Sequence, residues 1–234
     1  MAFAVTVAKG DDELSSCPFI DSAKVEALTK TINKVDWREN LIKSLKEEIR
    51  PLNLIEIADG IGASVQGDSI IIKLWGRDLL ITPEREIIAE AKVSPWEKIL
   101  VLLYIKMQGK VKLENQWISF AELKGGSVKV EAIKKDCEVP LSRLMQDDFD
   151  GVVKIFERLG LKEATGQIAN KAWEFYMLPK LPVLILFWAS VEEFPASVKL
   201  LFDPTAVQFL DIESIVFLCE GFVNKVDELL NKDK

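Results

Sequence analysis

Glu192 and Glu193 stand directly before Phe194 and Pro195, and Asp203 follows the next apolar run. Carboxylates held close together raise one another's proton affinity, which suits acid–base work, and they attract hard cations. If the strands ending at Trp188 and Phe202 pair at those ends, the three carboxylates gather near one sheet edge. That arrangement would suit a His-free, carboxylate-dependent enzyme using a divalent metal such as Mg²⁺. The same residues also read as a solvated acidic turn, with Asp203 and Pro204 simply ending a strand.

A second constellation is Trp117, Ser119, Gly125 and Gly126. A tryptophan beside a glycine pair gives a flat apolar wall with close backbone access to a ligand. Together with Trp188 and Glu193 this segment outlines the expected pocket. The alternative is a core tryptophan and a glycine turn. The glycine pair lacks the spacing and the basic residue of a phosphate loop. Trp75, Trp96, Trp173 and Trp188 read as core or pocket walls rather than as stacking platforms for nucleic acid.

The chain of 234 residues contains no histidine. Triads of the Ser-His-Asp and Cys-His kinds are therefore impossible within it, as are His-containing zinc, iron and copper sites. Its three cysteines, Cys17, Cys137 and Cys219, cannot supply a four-thiolate cluster. An odd, sparse set fits a reducing compartment better than a disulfide scaffold. Lys134 and Lys135 stand beside Cys137, where cationic neighbours would lower a thiol pKa. Lys plus Arg total 30 against 37 Asp plus Glu, a net charge of -7 without a basic block, which argues against nucleic acid as a partner. The apolar stretch 182–189 is too short for a bilayer span of roughly 20 residues. The apolar start, 1–8, lacks a basic leader and is soon followed by Asp11, Asp12 and Glu13, unlike a signal peptide. The expectation is a cytoplasmic protein.

Residues 1–8 read as a helical turn or two, and the segment ending at Cys17 and Pro18 as a loop. The periodicity predicts helices over 21–32, behind an Asp21 cap, and over 37–50, with Leu41, Ile42, Leu45 and Ile49 inward. Residues 54–58 read as one more helical turn. The period then changes to a meander over 63–66, 69–74, 78–82 and 87–91, with turns at Gly67-Asp68 and Gly76-Arg77. Ser94, Pro95 and Glu97 mark a capped helix start, and Gly109 its end. Residues 128–133 read as extended, 139–146 and 149–159 as helices, and 173–177, 183–188 and 198–202 as buried strands. Asp211 caps a last helix over 212–230, with Ile215, Leu218, Phe222 and Val226 on one stripe. Residues 231–234 are expected to fray. The order helices, β-meander, mixed helical middle, C-terminal strands and terminal helix predicts an α+β fold.

Two stretches carry a family resemblance. Met1-Ala2-Phe3-Ala4, Val7, Gly10 and Cys17-Pro18 resemble the last part of a small 4Fe–4S domain found in corrinoid iron–sulfur proteins and their anaerobic relatives. In that domain three closely spaced cysteines precede a similar helix and a fourth Cys-Pro follows it. The resemblance implies that Cys17 matches the fourth ligand and that the chain begins at an internal Met, just after the third. It implies a 4Fe–4S cluster that this chain alone does not hold. Residues 41–226 resemble the family known as domain of unknown function 3786, through the segments 117–126, 181–188 and 192–203 and the final helix. That family has no established activity to transfer. It often carries the 4Fe–4S domain at its N-terminus, so the resemblance implies a setting of anaerobic iron–sulfur or corrinoid metabolism and a redox or corrinoid protein as partner.

The expected organisation is a cluster-domain remnant over 1–25 and a single α+β domain over 26–234. The expected function is a non-catalytic accessory or ligand-binding protein with no catalytic residue. Its ligand-binding candidates are Trp117, Ser119, Gly125, Gly126, Trp188, Glu192, Glu193 and Asp203, with Cys17 as the remaining cluster ligand. The alternatives are the carboxylate enzyme above and a purely structural partner protein.

Overall fold

The computed structural model describes Ser16, Ile20, Asp21, Lys24, Val25 and residues 37–232. The expected turns over 1–8, Cys17 with its loop, and most of the helix expected over 21–32 lie outside the described residues. Asp21 does act as a cap, accepting the amides of Lys24 and Val25.

Helix α1 (Trp37–Ile49) buries Ile42, Leu45 and Ile49 at helical spacing. Pro51 follows its end, and Asn53 caps the short α2 (Leu54–Ala58) by accepting from the amides of Ile55 and Glu56. The first sheet is an antiparallel meander of β1 (Ser64–Gln66), β2 (Ser69–Leu74), β3 (Arg77–Ile81) and β4 (Ile87–Ile88), in that order. The β2–β3 turn is Trp75-Gly76, one residue earlier than expected, because Leu74 pairs with Arg77. Both turn residues have positive φ, 48° at Trp75 and 79° at Gly76. Two successive positive φ values match the strand twist of a tight hairpin, but they strain a tryptophan.

Helix α3 (Pro95–Met107) starts at the expected capping box. Ser94 Oγ accepts from the Glu97 amide and Glu97 Oε2 accepts from the Ser94 amide. Its left-handed cap is Gln108 rather than Gly109. Gly109 serves packing instead, since a Cβ there would lie 2.1 Å from the Phe209 ring.

The segment expected to be extended over 128–133 is helical. A 3₁₀ turn (Gly126–Lys129) leads into α4 (Val130–Ile133), a π turn (Lys134–Glu138) and α5 (Val139–Asp147). The reason is the wider apolar spacing: Ile133, Cys137, Leu141 and Met145 form one buried stripe, whereas Val128 is 79% exposed. The widened turn ends two residues before Pro140, which has no N–H to donate and would crowd a regular preceding turn. Helix α6 (Phe149–Leu159) is capped by Asp148 and closed by Gly160.

The second sheet has the order β5-β9-β8-β7-β6 and is antiparallel throughout: β5 (Ile118–Ser119), β6 (Lys162–Glu163), β7 (Lys171–Leu178), β8 (Leu181–Trp188) and β9 (Ser197–Phe202). The apolar run of β8 is central, and seven of its eight residues are buried. Alternation sends Val183, Ile185 and Phe187 into the main core. Leu184 and Leu186 face outward onto a satellite patch with Ala172. Helix α7 (Ile212–Lys232) follows the Asp211 cap and buries the expected stripe of Ile215, Leu218, Phe222 and Val226. It runs through Asn231 and Lys232, two of the residues expected to fray. The core joins the meander, helices and second sheet, from Ile42 to Leu230. The fold is α+β.

Candidate functional site

The strand register decides where the carboxylates go. Trp188 pairs with Ser197, and Phe202 pairs with Val183. Glu192 and Glu193 therefore lie at one end of the β8–β9 hairpin and Asp203 at the other, five strand steps or about 17 Å along. Asp203 is 1% exposed. Its carboxylate accepts from the amides of Glu114, Asn115 and Thr205 and from the Thr205 hydroxyl, which donates at 2.6 Å. It clamps a loop and caps a turn, with its lone pairs spent on that work. Glu192 and Glu193 are exposed in a turn closed by mutual Val191 and Phe194 backbone bonds. Among the described residues no group of three or more Cys, Asp or Glu could hold a metal ion.

Trp117 and Trp188 do meet one feature in common. Both are half-buried and pack on the Ala172, Leu184 and Leu186 patch of the outer sheet face. Ser119 is engaged locally, donating its amide and hydroxyl to Glu122 Oε2 at 2.8 and 2.6 Å. Those bonds hold the Glu122 carboxyl below its usual range. Gly125 makes an exposed left-handed turn, while Gly126 is buried so tightly that a Cβ would lie 1.8 Å from the Phe120 carbonyl oxygen. Gly126 and Asp203 are thus internal supports rather than walls open to a ligand.

The cysteines at 137 and 219 are free and fully buried. Burial pushes both thiols well above their usual range, so Lys134 and Lys135, both exposed, do not activate Cys137. Cys137 Sγ instead donates to the Val216 carbonyl at 3.7 Å. Neither group is a thiolate ligand or nucleophile at neutral pH.

The aromatic residues build a different site. Between α3 and α7 runs a largely apolar groove of about 490 Å³ lined by Trp37, Leu41, Trp96, Leu103 and Phe217, with Ser214 and Glu213 at its polar side, the latter paired with Lys129 at 2.5 Å. It shares Trp96, Leu100 and Phe217 with a smaller chamber of about 190 Å³, which adds Trp75, Glu220, Gly221 and Asn224. Each position has a local cause. The capping box starts α3 so that Trp96 and Leu100 share a face one turn apart. Phe217, Glu220, Gly221 and Asn224 recur on one face of α7. Trp75 is brought in by the strained hairpin turn, where its amide donates to Met177 O and its indole Nε1 to Leu218 O. The Trp96 ring stacks on Phe217 with centroids 5.3 Å apart and meets Trp37 edge-on at 5.4 Å. Arg38 lies over this wall, its guanidinium carbon 5.2 Å from the Trp37 centroid and 5.5 Å from that of Trp96.

The family described as Domain of unknown function (DUF3786) matches residues 53–225, most of the chain. The protein belongs to that family. No curated protein and no solved structure matches the chain. The chamber residues all fall within the DUF3786 span, whereas Trp37 and Leu41 of the wider groove precede it.

The sequence marks Trp75 and Trp96 as core or pocket walls, and both are. It gives no sign of Glu220. The one local signal for that chamber is Gly221, a glycine in a long helix, where it costs about 1 kcal/mol relative to alanine unless something needs the space. The DUF3786 domain has another cleft, of about 560 Å³, where Lys73, Arg158 and Lys162 meet Glu174 and Tyr176. Lys73 is already paired with Asp78 at 2.6 Å, and Glu174 stands beside the remaining cations.

Proposed function

We propose that this DUF3786 protein acts by binding, as a cytoplasmic, non-catalytic accessory module in anaerobic iron–sulfur or corrinoid metabolism, working with a redox or corrinoid protein. The observation that carries the binding reading is the aromatic groove between α3 and α7, with Trp96 shared by its two chambers. Concave, largely apolar surface with few polar groups is what small-molecule sites are made of. The chemistry available to the chain supports the same reading, since it has no histidine and its buried thiols stay protonated.

The metabolic setting rests on the resemblance of residues 1–25 to a 4Fe–4S domain, with Cys17 as one ligand. The residues of this chain do not by themselves fit such a cluster. Four thiolates are needed, and Cys137 and Cys219 are enclosed in the core. Any cluster would draw its other ligands from outside the chain, and no step is assigned to it.

Native mass spectrometry of the anaerobically purified protein tests the binding reading. It predicts a small-molecule adduct that survives in Glu193→Gln and is lost in Trp96→Leu. A turnover that disappears in Glu193→Gln would overturn it in favour of a carboxylate-dependent enzyme. A stable hetero-complex with neither adduct nor turnover would favour a purely structural partner.

A further inference from the structure

We propose that the chamber beside the groove binds an organic cation, an alkylated ammonium group, with Trp75, Trp96 and Phe217 as its aromatic wall and Glu220 as its counter-charge. This deepens the binding reading and rests on it.

Ring faces carry negative charge density and attract cations, most strongly when the cation is weakly hydrated. One ring of the wall, Trp96, already does this within the protein, where the Arg38 guanidinium carbon lies 5.5 Å from its centroid. Among the described residues, Glu220 is the one charged residue lining the chamber. It is half-buried, and no hydrogen bond or ion pair from a described residue engages its carboxylate. Burial and the nearby Asp136 hold that carboxyl above its usual range, a cost that a bound cation would relieve.

The lining also selects among cations. A primary ammonium needs acceptors for three N–H donors, and the chamber offers mainly Glu220 and Asn224. A fully alkylated ammonium has no N–H to satisfy and presents methyl groups to the rings. An anion would face the Glu220 carboxylate. The volume of about 190 Å³ admits a head of tetramethylammonium size and excludes a nucleotide, while the adjoining, largely apolar groove of about 490 Å³ has room for its substituent. Two further features serve this geometry. Trp75 is held at φ 48°, a strained position for a bulky residue, and strain of that kind collects at binding sites. Gly221 clears the space against which the indole lies.

The test is calorimetric and fluorescence titration of the full chain at constant ionic strength. The probes are tetramethylammonium, choline and the uncharged choline isostere 3,3-dimethylbutan-1-ol. The expected result is saturable binding of both cations, with the isostere weaker by about tenfold or more. Glu220→Gln should weaken choline by about tenfold while leaving the isostere unchanged. Trp96→Phe keeps a ring, so it should retain more affinity than Trp96→Leu; thermal unfolding of each variant checks that the fold is intact. Equal affinity for choline and its isostere, or unchanged choline affinity in Glu220→Gln, would overturn the proposal. So would binding to phosphatidylcholine vesicles with none to free choline, which would assign the headgroup to a lipid. If the purified adduct persists while both cations are refused, this inference fails and the binding reading stands. If adduct and cation binding are both absent, both fail.

Discussion

The Trp75 indole occupies the space that a side chain at Gly221 would need: a Cβ there would lie 2.5 Å from its Cη2 and Cζ2. That contact joins the hairpin turn of the meander to α7, and the indole N–H bonded to Leu218 O fixes the ring in place. Alanine is the better helix former by about 1 kcal/mol, yet overpacking of this kind costs about 1–3 kcal/mol. Gly221→Ala should therefore lower stability in urea and shift tryptophan emission, because the ring must move. A stabilised variant with unchanged emission would show that the contact does not constrain the turn.

Asp203 gathers three amides and one hydroxyl around a carboxylate that is 1% exposed. In Asp203→Asn an amide N–H₂ would face donors, leaving buried groups unpaired at a cost of about 1–3 kcal/mol. The expected outcome is a lower urea midpoint with ligand affinity unchanged. Loss of affinity at full stability would return Asp203 to the list of binding residues.

Leu184 is 1% exposed on the central strand, under the patch covered by Trp117 and Trp188. Leu184→Asp buries an unpaired charge and should cost several kcal/mol, on the order of 3 or more. An unchanged melting temperature would contradict the central placement of β8.

The alkaline limb of stability follows from three buried groups. Burial raises the pKa of Cys137, Cys219 and Tyr104 in the folded state. An acid whose folded pKa is raised keeps its stability contribution below the unfolded value and loses it as pH rises past that value. The unfolded values are about 8.5 for a thiol and about 10 for a tyrosine. Urea stability should be level near pH 7, fall above about pH 8.5 and fall more steeply above about pH 10. Tyr104→Phe also removes a bond to the Ile61 carbonyl, donated at 2.6 Å. It should cost about 1 kcal/mol at pH 7 and flatten the steeper part. In a Cys17→Ser chain, a thiol reagent at pH 8 should find no reactive group until the protein is unfolded.

Signals with a local mechanism were legible. The capping box at Ser94 and Glu97, the apolar run of β8, and the Asp211 cap with its buried stripe each read directly from neighbouring residues. The helix expected over 139–146 is there, but the segment before it, 128–133, is helical rather than extended, because the apolar spacing widens across a π turn and Val128, a strong strand former, is exposed. The gathering of Glu192, Glu193 and Asp203 failed on connectivity. Two antiparallel strands joined by a short turn bring the end of one to the start of the next, so Phe202 had to lie far from Trp188. Glu220 was invisible because its chamber is assembled from α3, α7 and a hairpin turn distant in sequence, which only tertiary packing brings together.

The central claim is that binding takes place at the groove between α3 and α7, and indole N–H resonances read it most directly. The protein has six tryptophans, each assignable by replacement with phenylalanine. On titration with choline the account predicts that the Trp75 and Trp96 signals move along one saturation curve, while those of Trp117, Trp173 and Trp188 stay fixed. Movement of Trp117 and Trp188 with Trp75 and Trp96 unchanged would place binding on the outer sheet face and contradict it.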